Sequence, residues 1–189
     1  MKIAILTDDT RMNLIPSEEA VKEDEQKQKT VEEVKKILST KYDCISLIAG
    51  ENIIEELKAE EVDLVFNLCN GLQGDSKLAQ IPGILEFAGI PYTGSSILGH
   101  SIAINKICSS EIFRAANIST PDFIPIYSLE DLKNLNIKFP ILIKPNDEGS
   151  SRGIHQDSLV FNKEDLKNKL NEELKTYNPP IMLNEYIEG

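Results

Sequence analysis

Tryptophan is absent from this 189-residue chain, and His100 and His155 are its only histidines. So few histidines, beside three scattered cysteines, argue against a His/Cys zinc cluster. Cys44, Cys69 and Cys108 are odd in number, widely spaced and set among apolar neighbours. That usage predicts buried thiols in a reducing cytoplasm rather than a disulfide frame. Positive charge is scarce too: 20 Lys and Arg against 31 Asp and Glu leave a net charge of -11. Such a balance speaks against non-specific binding to nucleic acid or to an anionic membrane, since neither polyanion is attracted. No apolar run approaches the ~20 residues needed to span a bilayer. The N-terminal Met1-Lys-Ile-Ala-Ile-Leu-Thr-Asp-Asp9 reaches acidic residues too soon for a signal peptide.

What is present is a globular composition, 41% hydrophobic and 27% charged, long enough for one ordinary domain or two small ones. Lys2 to Leu6 reads as a buried parallel strand. Asp8 to Gln28 is polar and acidic, with a loop expected around Asn13 to Pro16. Thr30 and Glu33 fit a capping box opening a helix whose apolar face is Val31, Val34, Ile37 and Leu38. A second strand at Cys44 to Ile48, an acidic helix from about Asn52 to Ala59 and a third strand at Val62 to Cys69 follow. After the loop Asn70-Gly-Leu-Gln-Gly74 come a helix near Leu78 to Ala88 and an extended Ile90 to Gly94. The order β-α-β-α-β-α-β implies a parallel sheet with right-handed crossovers. Ligands of such sheets bind beyond the carboxyl ends of the strands, which makes Thr7 to Asn13 and Cys69 to Ser76 candidate site walls.

Past residue 96 the pattern changes. A helix over Ser101 to Ala116 is expected to bury Ile102, Ile107, Ile112 and Phe113, with Lys106 in mid-helix. A strand through Ile126, a short helix capped by Ser128, a strand from Pro140 to Lys144 and a return strand near Ser158 to Phe161 come next. Asn162 opens a further helix, and Ile181 to Ile187 forms a last strand. This second half reads as an α+β unit, with a boundary near residue 96.

The chemistry concentrates in Phe139-Pro-Ile-Leu-Ile-Lys-Pro-Asn-Asp-Glu-Gly-Ser-Ser-Arg-Gly153. Lys144 ends an apolar strand, where a cation needs either solvent or an anion. Alone it would read as a snorkelling surface lysine. The loop just beyond alters that, because Gly149 and Gly153 permit unusual backbone shapes and Ser150 and Ser151 add hydroxyl donors. The spacing is neither a P-loop nor a dinucleotide fingerprint. Lysine beside a flexible Gly/Ser loop is an arrangement for nucleotide phosphates.

Several blocks in order resemble a known family. Ile90-Pro-Tyr-Thr-Gly-Ser95, Asn105-Lys106, Ile118-Ser-Thr-Pro121, the Phe139 to Gly153 stretch and Asn184-Glu-Tyr-Ile-Glu-Gly189 are similar to successive blocks of D-alanine–D-alanine ligases, members of the ATP-grasp superfamily. The resemblance runs from about Val62 to the last residue. It implies a Rossmann-like pre-ATP-grasp domain at 1–96 and a first ATP-grasp subdomain at 97–189. It also implies ATP as cofactor, with Lys106 and Lys144 on its phosphates. Glu148, Gly149, Ser150 and Ser151 would lie in the phosphate-covering loop, and Glu185, Tyr186 and Ile187 in the segment that holds adenine. Asn70 and Gly71 would contact the substrate, an amino acid or other small carboxylate. A homodimer through the first domain, common in the family, is a further implication.

Two departures qualify the likeness. Asn70-Gly-Leu-Gln-Gly-Asp-Ser-Lys77 stands where the family carries a His-Gly-x-x-Gly-Glu-Asp-Gly type loop, so Asn70 replaces the histidine. Asp8-Asp-Thr-Arg11 stands where Gly-Gly-x-Ser-x-Glu is usual. The second subdomain with its Mg²⁺ ligands would follow Gly189. The chain therefore reads as the N-terminal part of an ATP-dependent carboxylate–amine ligase, inactive alone and without metal ligands of its own. The alternative is a non-catalytic nucleotide or small-ligand binding module of the same fold.

Overall fold

A computed structural model describes residues 1–8, 18–71 and 74–188. They fall into two compact units, Met1–Ser101 and Ile102–Gly189. In the first, β1 (Lys2–Asp8) lies between β2 (Asp43–Ala49) and β3 (Leu64–Asn67) in a parallel sheet of order β2-β1-β3. As the central strand, β1 is buried on both faces, which is why its sequence is a continuous apolar run rather than an alternation. Ala4 and Leu6 pack with Val65, with Ile53 and Leu57 of α2 (Ile53–Ala59), and with Ile81 and Leu85 of α3 (Gln80–Ala88). Pro82 falls in the first turn of α3, where its missing N–H costs nothing. The expected fourth strand is reduced to a single parallel bridge, Val65 to Tyr92.

Helix α1 spans Glu18–Leu38 and so begins well before Thr30. The stretch is free of Gly and Pro and rich in Glu, Lys and Gln, all strong helix formers. Thr30 does not cap it. Its Oγ1 donates to the Gln26 carbonyl one turn back, at 2.9 Å. The loop expected at Asn13 to Pro16 lies outside the described residues.

The helix expected over Ser101 to Ala116 is two helices, α4 (Ile97–Ile104) and α5 (Lys106–Ala115). Asn105 is the break: its backbone is extended and its side chain accepts from the Cys108 N–H at 2.9 Å, capping α5. Lys106 is therefore the first residue of a helix, not a mid-helix residue. Of the residues in this region only Ile104 is buried, whereas Ile112 and Phe113 are exposed. The cysteine expectation holds for Cys69 alone: all three thiols are free, but Cys44 is half-buried and Cys108 exposed.

The second unit is an antiparallel sheet of order β4-β7-β5-β6, from β4 (Phe123–Ile126), β5 (Ile141–Pro145), β6 (Leu159–Val160) and β7 (Ile181–Glu185). Helix α6 (Lys163–Thr176), capped by Asn162, places Leu166 and Leu170 against Ile126, Ile141, Ile143, Ile181 and Leu183. Strand alternation then sends Leu142 and Lys144 to the other face. Met182 and Asn184 are their register partners there.

Candidate functional site

Lys144 sits one residue from the end of β5, half-buried. Among the described residues no carboxylate or hydrogen-bond acceptor is recorded for its ammonium. Burial accordingly pushes its pKa below the ordinary 10.5. The chain holds a cation in a place that favours losing the charge, and an incoming anion would reverse that preference.

Beyond Lys144 the backbone is organised by the start of α5. The Asn146 carbonyl accepts from the Lys106 N–H at 3.1 Å and from Lys106 Nζ at 3.2 Å. Asn146 Oδ1 accepts from the Ile107 N–H at 2.9 Å. Lys106 Nζ also donates to the Glu148 carbonyl. Lys106 is thus brought to the loop that follows Lys144, gripping its backbone. Asn146 is a buried organiser to which no role was given from sequence.

The loop tip is a tight turn. Ser150 and Ser151 both adopt the left-handed region, φ 54° and 57°, closed by Arg152 N–H to the Gly149 carbonyl at 3.0 Å. A type I′ turn needs two such residues and normally finds them in Gly or Asn. Two serines there carry strain of about 1–2 kcal/mol each. Both side chains are exposed, and neither hydroxyl has a hydrogen-bond partner among the described residues. Gly153 closes the loop at φ +73°. A Cβ there would stand 2.6 Å from Pro145 Cγ and 3.0 Å from Tyr177 Cζ. The Glu148 carboxylate does not join the exposed donors; it is buried, with Oε2 3.7 Å from Arg152 Nη1.

Glu185, Tyr186 and Ile187 lie at the opposite end of β5. Glu185 pairs with Ile141, whereas Lys144 pairs with Met182, and the Tyr186 N–H reaches the Pro140 carbonyl at 3.4 Å. Four residues of strand therefore separate Tyr186 from Lys144, ~14 Å. The Glu185 side chain accepts from the Asp122 N–H at 3.0 Å, and its own N–H donates to the Asp122 carbonyl at 2.7 Å. Tyr186 and Ile187 are exposed.

In the first unit, Asn70 and Gly71 follow the carboxyl end of β3. Asp8, buried at the end of β1, accepts from the Asn70 N–H at 2.8 Å and from Lys27 Nζ at 2.6 Å. Its carboxylate is thereby committed to holding the loop. Gly71, at φ +74°, packs on the backbone of Lys77 so closely that a Cβ would fall 1.9 Å from the Lys77 carbonyl oxygen. Nearby, burial drives the Cys69 thiol pKa strongly upward, with the Asp8 charge adding to the effect. Cys69 is an inert thiol here.

No protein-family model matches the chain. Curated relatives do. The D-alanine–D-alanine ligase of Wolbachia sp. subsp. Drosophila simulans (strain wRi) is 37% identical over 158 residues, 82% of this chain and 48% of the relative. That of Carboxydothermus hydrogenoformans is 34% identical over 162 residues, 81% of this chain and 50% of the relative. The chain is a D-alanine–D-alanine ligase homologue. It spans about half the length of the curated ligases it matches. A solved Bacillus anthracis ligase superposes with a TM-score of 0.75 at 27% identity, covering 100% of this chain and 58% of that one. The ATP complex of a ligase from the same organism gives 0.72 at 25% identity, covering 100% and 60%. The parallel α/β unit followed by the antiparallel α+β unit is the N-terminal architecture expected of an ATP-grasp ligase.

Among the described residues of this ligase homologue no group of three or more His, Cys, Asp or Glu side chains is placed to hold a metal ion. No helix among them is long and apolar enough to cross a membrane.

Proposed function

We propose that the chain supplies the ATP-phosphate grip and part of the substrate pocket of an ATP-dependent carboxylate–amine ligase. In the reaction a substrate carboxylate oxygen attacks the γ-phosphorus of ATP, and ADP departs. The amine of a second molecule then attacks the acyl carbon, phosphate leaves, and the amine loses a proton to give an amide bond. Both steps gather negative charge on phosphate oxygens, so catalysis rests on oriented cations and N–H donors. Lys144 would supply the cation. The N–H and hydroxyl groups of Ser150 and Ser151 would close over the phosphates, and Lys106 would hold the loop from beneath. Adenine would lie against Glu185 to Ile187, the span along β5 suiting an extended nucleoside triphosphate.

Asn70 and Gly71 would border the substrate, an amino acid or small carboxylate, with Asp8 ordering their loop. Mg²⁺ would accompany ATP. A second copy of the chain is a proposed partner: Ile84, Phe87, Ile97 and Leu98 of the first unit expose apolar side chains, Phe87 to 91%. The cytoplasm is the proposed setting.

The observation that carries this reading is the half-buried Lys144, without a partner among the described residues, beside a loop of exposed donors. Titration of the chain with MgATP by calorimetry tests it. Wild-type should bind, Lys144→Ala should weaken binding about tenfold or more, and equal affinity would sink the assignment. ADP release with D- or L-amino acids, assayed in a full-length ligase that carries this chain, then separates a ligase from a binding module.

A further inference from the structure

Helix α6 buries four side chains, Leu166, Lys169, Leu170 and Glu173. Their spacing of three, one and three residues is the core-facing stripe of a helix. Half of that stripe is charged. A buried ion pair is seldom the most stable filling for such positions, since apolar residues of similar volume commonly do as well or better. One Glu173 oxygen, Oε2, is buried with no hydrogen-bond partner, so the arrangement is not optimised for stability.

Lys169 Nζ lies 3.1 Å from Glu173 Oε1 on its own helix and 3.0 Å from Asp157 Oδ2. Asp157 belongs to the turn Gln156–Ser158 that follows the Gly149 to Gly153 loop. Burial raises the Glu173 pKa above the ordinary carboxylate value, opposed by Lys169 and, more weakly, by His155 at the head of that turn. The buried Ser158 hydroxyl accepts from the His155 N–H at 2.9 Å and donates to the Gly153 carbonyl at 3.4 Å. Gly153 rests on Pro145 and on Tyr177, the residue that ends α6. The root of the strained Ser150–Ser151 turn is a compact knot, and the Lys169 ammonium ties its Gln156–Ser158 side to α6.

We infer that Lys169, oriented by Glu173 and bound to Asp157, is a positioning residue that holds the root of the phosphate loop in its donor-presenting shape. Its functional consequence rests on the ATP reading above. Asp157 is the clean place to test it. Its side chain is 63% exposed, so its loss leaves the Lys169–Glu173 pair and the fold intact, whereas removing Lys169 strands a buried carboxylate.

The experiment uses the whole chain as wild-type, Asp157→Ala and Asp157→Glu. Amide hydrogen exchange across residues 149–154 without nucleotide, the melting temperature and MgATP affinity are read in parallel. Asp157→Ala should speed exchange at those amides and weaken MgATP binding about three- to tenfold, with melting almost unchanged. Asp157→Glu, keeping the charge, should recover part of both. Unchanged exchange in Asp157→Ala overturns the anchor, as does a fall in melting temperature with exchange at 149–154 no faster than elsewhere. Failure of wild-type to bind MgATP, with exchange still accelerated in Asp157→Ala, would remove the nucleotide reading and leave the anchor standing.

Discussion

Gly153→Ala is the sharpest single test of the loop geometry. Two costs combine at this position. The backbone is left-handed, φ +73°, which an alanine enters at about 1–2 kcal/mol. The new methyl would also stand 2.6 Å and 2.9 Å from Pro145 Cγ and Cδ and 3.0 Å from Tyr177 Cζ. Pro145 cannot swing aside, because it is a buried ring closing β5, so movement of Tyr177 alone would not relieve the clash. Overpacking of this kind costs about 1–3 kcal/mol. The sum is about 2–5 kcal/mol, and a chain of this length loses about 2–4 °C per kcal/mol.

Gly149 provides the control within the same loop. Its backbone avoids the left-handed region, and a Cβ would meet only Ile104 Cδ1, at 3.9 Å. Gly149→Ala should therefore fall within about 0.5 kcal/mol of wild-type. Thermal and urea unfolding of the three proteins decide the matter. If Gly153→Ala melts with Gly149→Ala, the loop does not close against Pro145 and Tyr177 as described.

Gly71→Ala should be worse still, since its Cβ would fall 1.9 Å from the Lys77 carbonyl oxygen at φ +74°; loss of cooperative unfolding in the first unit is expected, and wild-type melting would refute the packing. Ser150→Gly and Ser151→Gly should each stabilise by up to about 1 kcal/mol, the relieved strain exceeding the added freedom of the unfolded chain. Both should also weaken MgATP binding, and a destabilised variant would deny the left-handed turn. Lys144→Met should raise stability near neutral pH while abolishing tight MgATP binding. Because burial lowers the folded pKa of Lys144 below 10.5, the unfolded chain holds more protons between that lowered value and 10.5. Wild-type stability should thus rise with pH across this window, with the burden of the buried cation fully present below it. The same slope in Lys144→Met would show that another group is titrating.

Much of this was legible from residue pattern alone. Apolar runs of strand length located β1, β5 and β7, and β1 and β7, buried on both faces, need no alternation to be recognised. Asn162 and Ser128 announced their helices through side chains that compete for the first free N–H groups. The acidic segment before Thr30 misled for a related reason. Its helix carries so little apolar surface that periodicity is mute, and only the lack of Gly and Pro speaks for it. Asn105 was missed as a cap because the apolar residues on either side continue a helical rhythm. The burial expected of Ile112 and Phe113 failed because periodicity marks a face without saying what covers it. The roles of Asn146, Asp157 and Lys169 depend on contacts 39 and 12 residues away, which no local pattern encodes.

The two lysines proposed for the phosphate site illustrate the same limit in chemical terms. As letters in the sequence Lys106 and Lys144 were equivalent cations. In the fold they do different work. Lys106 spends its ammonium on the carbonyls of Asn146 and Glu148, so its charge is engaged in shaping the loop before any ligand arrives. Lys144 has no such partner among the described residues, and burial has already weakened its hold on its proton. An anion gains most where it relieves an existing desolvation cost, because the cation there has not been offset by any other group. Lys144 should therefore govern phosphate affinity. Lys106 should govern the shape into which the phosphate fits, a role it shares with Asn146 beside it and, from the far side of the loop, with Lys169.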